Sequence, residues 1–419
     1  SPRKVKKFRK TDVPMYLTHL SLTNFRLFSR LDMDVPRRIL LLLGSNAQGK
    51  TSLLEAIYYL ATFTSFHAQS DKQLLNFVST RESLTVARLV AAYQRGDHSH
   101  RLEVRLIQDS NGNGGARLRK EALLDGVKTP VNQLVGHFNA VLFLPQMTRI
   151  VEGGPDERRR YLNLAAAQAD PFFTQALSEY NQALTQRNAL LKLLAERGGD
   201  AAQLEYWDDI ITSRGAKIIH SRIRAICEIE TIATRIHEQL SGGKEILRLI
   251  YQPSYDPLPK PDGQFSLPIQ TSVQRDGFSI KQLQQGFSEQ LKRIHAEEIA
   301  RGVTTIGPHR DELRIHCNGI DMTDFGSRGQ VRTALLALKL AEVDWIKEKT
   351  TQWPVLLLDE TMAELDVDRR AFLLHYLQNA EQAVLTTTDM NLFPGDFMKK
   401  CERWQITSGT VEVDNKENL

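Results

Sequence analysis

Cysteine is scarce in this chain. Three occur in 419 residues, Cys227, Cys317 and Cys401. They lie far apart, so the sequence offers neither a disulfide framework nor a paired-cysteine metal or redox motif. They read as packing residues of a protein kept in a reducing compartment. Long apolar runs are lacking too: none approaches the ~20 residues that span a bilayer. No signal peptide with a cleavage site is visible. An excess of one charge is also lacking. Lys plus Arg number 54 against 50 Asp plus Glu, a net charge of +4, so the overall balance does not establish a nucleic-acid partner. With 41% hydrophobic and 25% charged residues, the composition is that of an ordinary globular protein. The length suits two domains, or one domain with a large insertion.

What the chain does have is Leu40-Leu41-Leu42-Leu43-Gly44-Ser45-Asn46-Ala47-Gln48-Gly49-Lys50-Thr51-Ser52. An apolar strand runs into G-x-x-x-x-G-K-T and then into the helical Leu53-Leu54-Glu55-Ala56-Ile57. This is a phosphate-binding loop in the context such a loop requires. Glycines allow the tight turn, backbone N–H groups of residues 44–52 face phosphate oxygens, and the helix start adds partial positive charge. Lys50 is placed for the β- and γ-phosphates and the Thr51 hydroxyl for Mg²⁺.

Six of the first ten residues are basic, and 1–14 reads as a disordered tail. Residues 16–25 alternate like a half-buried strand, Arg26 follows on the turn, and the next strand is expected to end in the phosphate loop. Strands are expected over 84–95, 101–107 and 140–144. From 155 the texture turns helical, with breaks at Asp170-Pro171 and Gly198-Gly199-Asp200, and a third helix to about 240. A strand at 245–252, a Pro-rich loop at 253–268 and helix over 279–301 follow. At Gly302 alternating α/β texture resumes, ending in a hairpin near 404–413. The expected organisation is α/β: an N-terminal head lobe at 15–154, a helical arm at 155–301, a C-terminal head lobe at 302–410 and a tail at 411–419.

The second half of the site lies far downstream. Pro354-Val355-Leu356-Leu357-Leu358-Asp359-Glu360 is a buried strand ending in two acids. Asp359 suits Mg²⁺, and Glu360 suits the base that deprotonates an attacking water. Ser327-Arg328-Gly329-Gln330 opens a helix and forms a second anion site whose natural use is to cap a γ-phosphate held by a partner subunit. Ala363-Glu364-Leu365-Asp366 stands where a dimer-facing loop belongs, and Thr386-Thr387-Thr388-Asp389 where a γ-phosphate sensor belongs, with Thr388 the contact residue. Together these elements resemble an ABC-type P-loop ATPase head split by a helical arm, in its SMC-like branch.

Further pieces narrow the resemblance. They are Leu22-Thr23-Asn24-Phe25-Arg26, Gly153-Gly154-Pro155 with Arg158-Arg159-Arg160 and Tyr161-Leu162, Gln186-Arg187-Asn188-Ala189-Leu190-Leu191, and Gly307-Pro308-His309-Arg310-Asp311-Glu312-Leu313. The chain resembles the RecF family over about 15–410. The resemblance implies a weak, DNA-stimulated ATPase that dimerises on ATP and binds DNA at gaps or junctions. It also implies work with RecO and RecR in loading recombinase, in the bacterial cytoplasm at the nucleoid. It places Arg26 among the nucleotide contacts. Two positions depart from the family: Glu360 stands where an aspartate is usual, and Gln146 where a glutamate is frequent. Both match the wider ABC and SMC pattern, in which the glutamine contacts Mg²⁺. Arg158, Arg159 and Arg160 are the candidate DNA contacts.

Three other readings fit less well. An SMC-type structural chromosome ATPase needs a longer coiled coil than about 150 inserted residues provide. A transport ATPase carries a histidine where Thr386-Thr387-Thr388 stands. A small-molecule kinase leaves the Ser327 motif without a task.

Overall fold

The computed structural model describes residues 13–77, 84–111, 115–258 and 275–413. Most of the basic tail and most of the Pro-rich stretch lie outside the described residues. The chain divides into two compact units, one of 1–146 with 343–419 and one of 147–342.

In the first unit, β1 (Met15–Phe25), β2 (Phe28–Asp34), β4 (Leu84–Arg95), β5 (His98–Asn111), β6 (Gly115–Leu124) and β7 (Val127–Lys128) form an antiparallel sheet in the order β2-β1-β4-β5-β6-β7. A second sheet has the order β15-β14-β3-β13-β12-β8. Its strands are β3 (Ile39–Leu43), β8 (Ala140–Phe143), β12 (Val355–Leu358), β13 (Ala383–Thr387), β14 (Cys401–Thr407) and β15 (Thr410–Val413). All pairings are parallel except β14 with β15. Parallel strands covered on both faces are near-continuously apolar. Every residue of β3, β8, β12 and β13 is buried. Helix α1 (Lys50–Thr62) follows β3 and buries all but two of its residues. Short α2 (Val131–Leu134), α11 (Val367–Leu377) and short α12 (Gly395–Met398) complete this unit.

The second unit is mostly helical: short α3 (Arg149–Glu152), α4 (Pro155–Ala169), α5 (Pro171–Arg197), α6 (Leu204–Leu240), α7 (Ile280–Arg293), α8 (His295–Arg301) and short α9 (Met322–Phe325). Pro171 occupies the first turn of α5, and Asp170 caps it through Phe172 N at 2.9 Å. Between the helices, β9 (Leu247–Gln252), β10 (Glu312–Cys317) and β11 (Ile320–Asp321) form a small antiparallel sheet. The unit boundary falls inside α10 (Arg328–Thr350).

Two expectations change. The strand before the phosphate loop is not the direct successor of β1, because a separate β2 pairs back on it from Phe28 to Asp34. The stretch 302–342, expected in the C-terminal head lobe, belongs to the compact unit of the arm. The physical reason is pairing: β10 bonds to β9 over six register positions, from Glu312 opposite Gln252 to Cys317 opposite Leu247.

Candidate nucleotide-binding site

Parallel strands end together, and ligands of such sheets sit beyond their carboxyl ends. Here β8, β12, β13 and β3 are neighbours in that order. Their ends deliver Gln146, Asp359 with Glu360, Thr388, and the phosphate loop to one edge.

The loop is tightly built. Gly44 has φ of 148°, and a Cβ there would stand 2.4 Å from the Ile406 carbonyl oxygen, so no side chain fits. Gln48 Oε1 accepts from Ser408 N at 2.7 Å, and Gly409 N donates to the Gln48 carbonyl at 3.0 Å. The turn between β14 and β15 therefore fastens the loop from below. Ser45, Asn46 and Ala47 are exposed. Lys50 is buried, and its Nζ donates to the carbonyls of Gly44 and Ser45 at 2.5 and 3.2 Å. It also lies 3.2 Å from Glu360 Oε1.

Thr51 Oγ1 donates to both carboxylate oxygens of Asp359, at 3.0 and 2.9 Å. Thr386 Oγ1 donates to Asp359 Oδ1 at 2.8 Å and accepts from Glu360 N at 2.9 Å. Glu360 itself has φ of 46°, a left-handed conformation that a glutamate adopts only when its surroundings hold it. Thr386 is thus the hub that fixes both acids. The sequence marks Thr386 only as part of the sensor stretch that ends in Thr388, not as the residue that holds the acids. Thr388 is exposed beyond the end of β13, and Gln146 is exposed past β8. Among the described residues no hydrogen bond joins either to Asp359 or Glu360.

Arg26 is held elsewhere than expected. Its Nε and Nη2 donate to the two oxygens of Glu55 at 2.7 and 2.9 Å, and Nη1 donates to the Gln73 carbonyl at 3.0 Å. Glu55 is buried on α1 and also accepts from Ser65 Oγ. An acid inside the apolar run Leu53–Ile57 was the available signal that a cation must reach it.

In the second unit, Ser327 N donates to Gln330 Oε1 at 3.1 Å, and Gln330 N donates to Ser327 Oγ at 3.3 Å. This reciprocal capping box starts α10. Ser327, Arg328 and Gly329 are exposed, and a Cβ on Gly329 would meet open space. In the first unit, Asp366 caps α11 by accepting from Arg369 N at 2.9 Å and pairs with the Arg369 side chain.

The arginine trio is a correction. Arg158 is 2% exposed. Its Nε and Nη2 donate to the two oxygens of Glu312, both at 2.8 Å, and Nη1 donates to the Gly153 carbonyl at 2.6 Å. It cannot face DNA. Arg159 is tied to the Asp311 carbonyl at 2.6 Å and Asp156 at 2.5 Å. Only Arg160 is exposed. Successive helical residues point about 100° apart, so three in a row do not share one surface.

The family model described as RecF/RecN/SMC N terminal domain matches residues 16–403. The DNA replication and repair protein RecF of Chloroflexus aurantiacus is 36% identical over 407 residues, covering 95% of this chain and 99% of that one. The chain belongs to the RecF family. RecF of Ligilactobacillus salivarius is 33% identical over 402 residues, covering 96% and 98%. Among solved structures, the recombination mediator protein RecF-ATP in the RecFOR pathway has a TM-score of 0.78 and 27% identity, covering 96% of this chain and 100% of that one. An Smc head domain from Pyrococcus furiosus, at a TM-score of 0.50, 16% identity and 96% coverage of each chain, shares the fold alone. The architecture is accordingly the α/β ABC-type ATPase head of RecF and SMC proteins, split by a helical arm.

The RecF motif residues of the arm form its polar core. Arg187 is wholly buried, bonded to Asp208 at 2.6 Å, Thr304 Oγ1 at 2.8 Å and Glu298 at 2.7 Å. Asn188 Oδ1 accepts from Thr304 N and Oγ1 at 2.8 and 2.7 Å. Asp311 is buried and accepts from Arg222 Nη1 at 3.1 Å, Ser254 N at 2.9 Å and Tyr251 Oη. His309 Nε2 donates to the Thr304 carbonyl at 3.2 Å, which leaves Nδ1 to accept from Tyr180 Oη at 2.6 Å. Burial pushes the His309 pKa down to about 4, so the ring is neutral.

Proposed function

We propose that this RecF-family chain is a DNA-dependent repair ATPase whose nucleotide is shared between two copies. One copy supplies Gly44–Thr51 and Ser52, Asp359 and Glu360, with Thr388 as γ-phosphate sensor and Asp366 in the dimer-facing loop. The other supplies Ser327, Arg328, Gly329 and Gln330. The closed dimer engages DNA at gaps or junctions and works with RecO and RecR to load recombinase. The observation that carries this reading is a division of labour. Lys50, Thr51, Asp359 and Glu360 meet within hydrogen-bond or ion-pair distance in one unit, while Ser327, Arg328 and Gly329 stand exposed at the capped start of α10 in the other.

The donors of the site suit a hard cation, since a hydroxyl and two carboxylate oxygens converge within 3.0 Å. Thr51, Asp359 and Gln146 would hold Mg²⁺, which when bound neutralises charge on the phosphates. Lys50 exchanges the loop carbonyls for phosphate oxygens. Glu360 orients a water and takes its proton as the water oxygen attacks the γ-phosphorus. The bond to the bridging oxygen breaks, and ADP and phosphate leave. Lys50 and Glu360 touch each other at 3.2 Å, so nucleotide that draws Lys50 away also frees the base.

Light scattering tests the shared site. The parent protein is expected to double its mass with ATP but not with ADP, because ATP favours the closed state only through its differential affinity for it. Ser327→Arg is expected to bind ATP as a monomer and to lose hydrolysis. A parent mass that ignores ATP, or a Ser327→Arg variant that dimerises and turns over normally, refutes the mechanism.

A further inference from the structure

The arm unit holds a second cluster of chemistry-bearing side chains. His237 lies in the last turn of α6, Glu245 in the turn before β9, and Cys317 at the end of β10. An imidazole nitrogen, a carboxylate oxygen and the thiol sulfur all lie within 4.8 Å of one another. His237 Nε2 is 3.7 Å from Glu245 Oε2. His237 is 0% and Cys317 3% exposed, while the Glu245 side chain is 21% exposed.

Three separate backbone elements deliver these groups, and each is fixed. Cys317 is paired with Leu247 across the sheet. The turn carrying Glu245 is clamped to Asn318, whose Oδ1 accepts from Ile246 N at 2.9 Å and whose N donates to the Ile246 carbonyl at 3.0 Å. Gly242 and Gly243, at φ of 66° and 77°, let the chain reverse between α6 and β9.

We propose that His237, Glu245 and Cys317 form a binding site for a divalent transition-metal ion of the Zn²⁺ type. Bonds of about 2.0–2.3 Å put tetrahedral ligands about 3.5 Å apart. The histidine and glutamate already stand at that spacing, and the rest of the trio closes with shifts of about 1 Å. Imidazole, thiolate and carboxylate together suit a borderline-soft ion, whereas Mg²⁺ and Ca²⁺ want oxygen alone. Glu245, the member reached by solvent, is the way in. The Cys317 sulfur lies within 4.8 Å of a Glu245 carboxylate oxygen, and an ion entering the site takes the place of the thiol proton.

The cluster also has the outer partner that metal-ligating carboxylates carry. Glu245 Oε1 accepts from Gln330 Nε2 at 2.8 Å, and Gln330 Oε1 accepts from Ser327 N at 3.1 Å. The site therefore stands one hydrogen bond from Gln330 of the signature motif and two from Ser327. Ion binding itself does not rest on the shared-nucleotide reading.

The test is titration of the full chain, in metal-free buffer, with Co²⁺ and then Zn²⁺ against a chromophoric chelator. The parent is expected to bind one Co²⁺ with a near-ultraviolet thiolate charge-transfer band that Zn²⁺ abolishes. Cys317→Ser should lose the band, and His237→Gln should weaken binding at least about tenfold. Gln330→Ala should keep the band with affinity about tenfold lower. Cys227→Ser should match the parent. Far-ultraviolet circular dichroism without metal checks that each variant folds. If Cys317→Ser fails to fold, the parent titration and His237→Gln still decide. A parent without a stoichiometric band, or a band that survives Cys317→Ser, overturns the proposal.

Discussion

Lys50 in the ATPase unit and Arg187 in the arm unit are both buried cations, at 4% and 0% exposure, yet their partners differ in kind. Lys50 rests on two carbonyls of its own loop and on Glu360, whose side chain is 30% exposed. A phosphate can replace all three. Arg187 rests on Asp208, Glu298 and Thr304, with both carboxylates at 7% exposure or less. Nothing from solvent can replace those. Burial of a charge does not by itself mark a working residue; the exchangeability of its partners does.

The sharpest way to break this contrast is to remove each cation. Arg187→Ala takes the guanidinium from two buried carboxylates, leaving Asp208 to His295 and Glu298 to Thr305, and should cost about 3 kcal/mol of stability, read as the urea midpoint by tryptophan fluorescence. Lys50→Ala should leave that midpoint within about 1 kcal/mol while nucleotide affinity falls more than about tenfold. Equal losses of stability would erase the distinction. The neighbours Arg158 and Arg160 repeat the contrast within one helix. Arg158→Ala should cost about 3 kcal/mol through orphaned Glu312. Arg160→Ala should cost under about 0.5 kcal/mol. If Arg160 meets DNA phosphate, its loss should also reduce the salt slope of DNA affinity by about 1.

Acid should act on the arm through His309. Its folded pKa of about 4 lies below its ordinary 6.5 because burial disfavours the charged ring. The unfolded chain therefore binds the extra proton first. Stability is full above pH 6.5 and falls as pH drops toward 4, by up to about 3 kcal/mol. Urea midpoints from pH 7.5 to 4.5 should show this slope, and His309→Gln should flatten it. A second variant sharpens the ATPase side. Glu360→Gln should keep stability and ATP binding while hydrolysis slows about a hundredfold, equivalent to about 2.7 kcal/mol. Turnover at the parental rate would remove Glu360 as the base.

The parallel-sheet strands, the phosphate loop and the long helices were legible because they have local causes. Unbroken apolar runs mark β3 and β12, and Asp170-Pro171 marks a helix boundary. What escaped depends on partners distant in sequence. Nothing near Arg158 says that Glu312 will meet it, and nothing near Cys317 says that His237 and Glu245 will. Arg26 carried a role borrowed from resemblance, while its actual partner, Glu55, lay 29 residues away. Residues 302–342 were grouped by texture, whereas hydrogen bonds from β10 to β9 decided their unit.

Strand β3, with its five apolar residues, is bonded on one side to β13 and on the other to β14. The earlier of the two, β13, begins 340 residues after Leu43, as 383 minus 43 gives, and β14 follows it. At about 5–20 residues per second, translation leaves this strand without either neighbour for roughly 20–70 s. During that time the newborn chain displays a sticky edge with no native mate, a natural substrate for chaperones. Ribosomes that stop before residue 383 release a product whose phosphate loop has no sheet to stand on. Interrupted synthesis thus yields no half-working ATPase, only a chain fit for disposal.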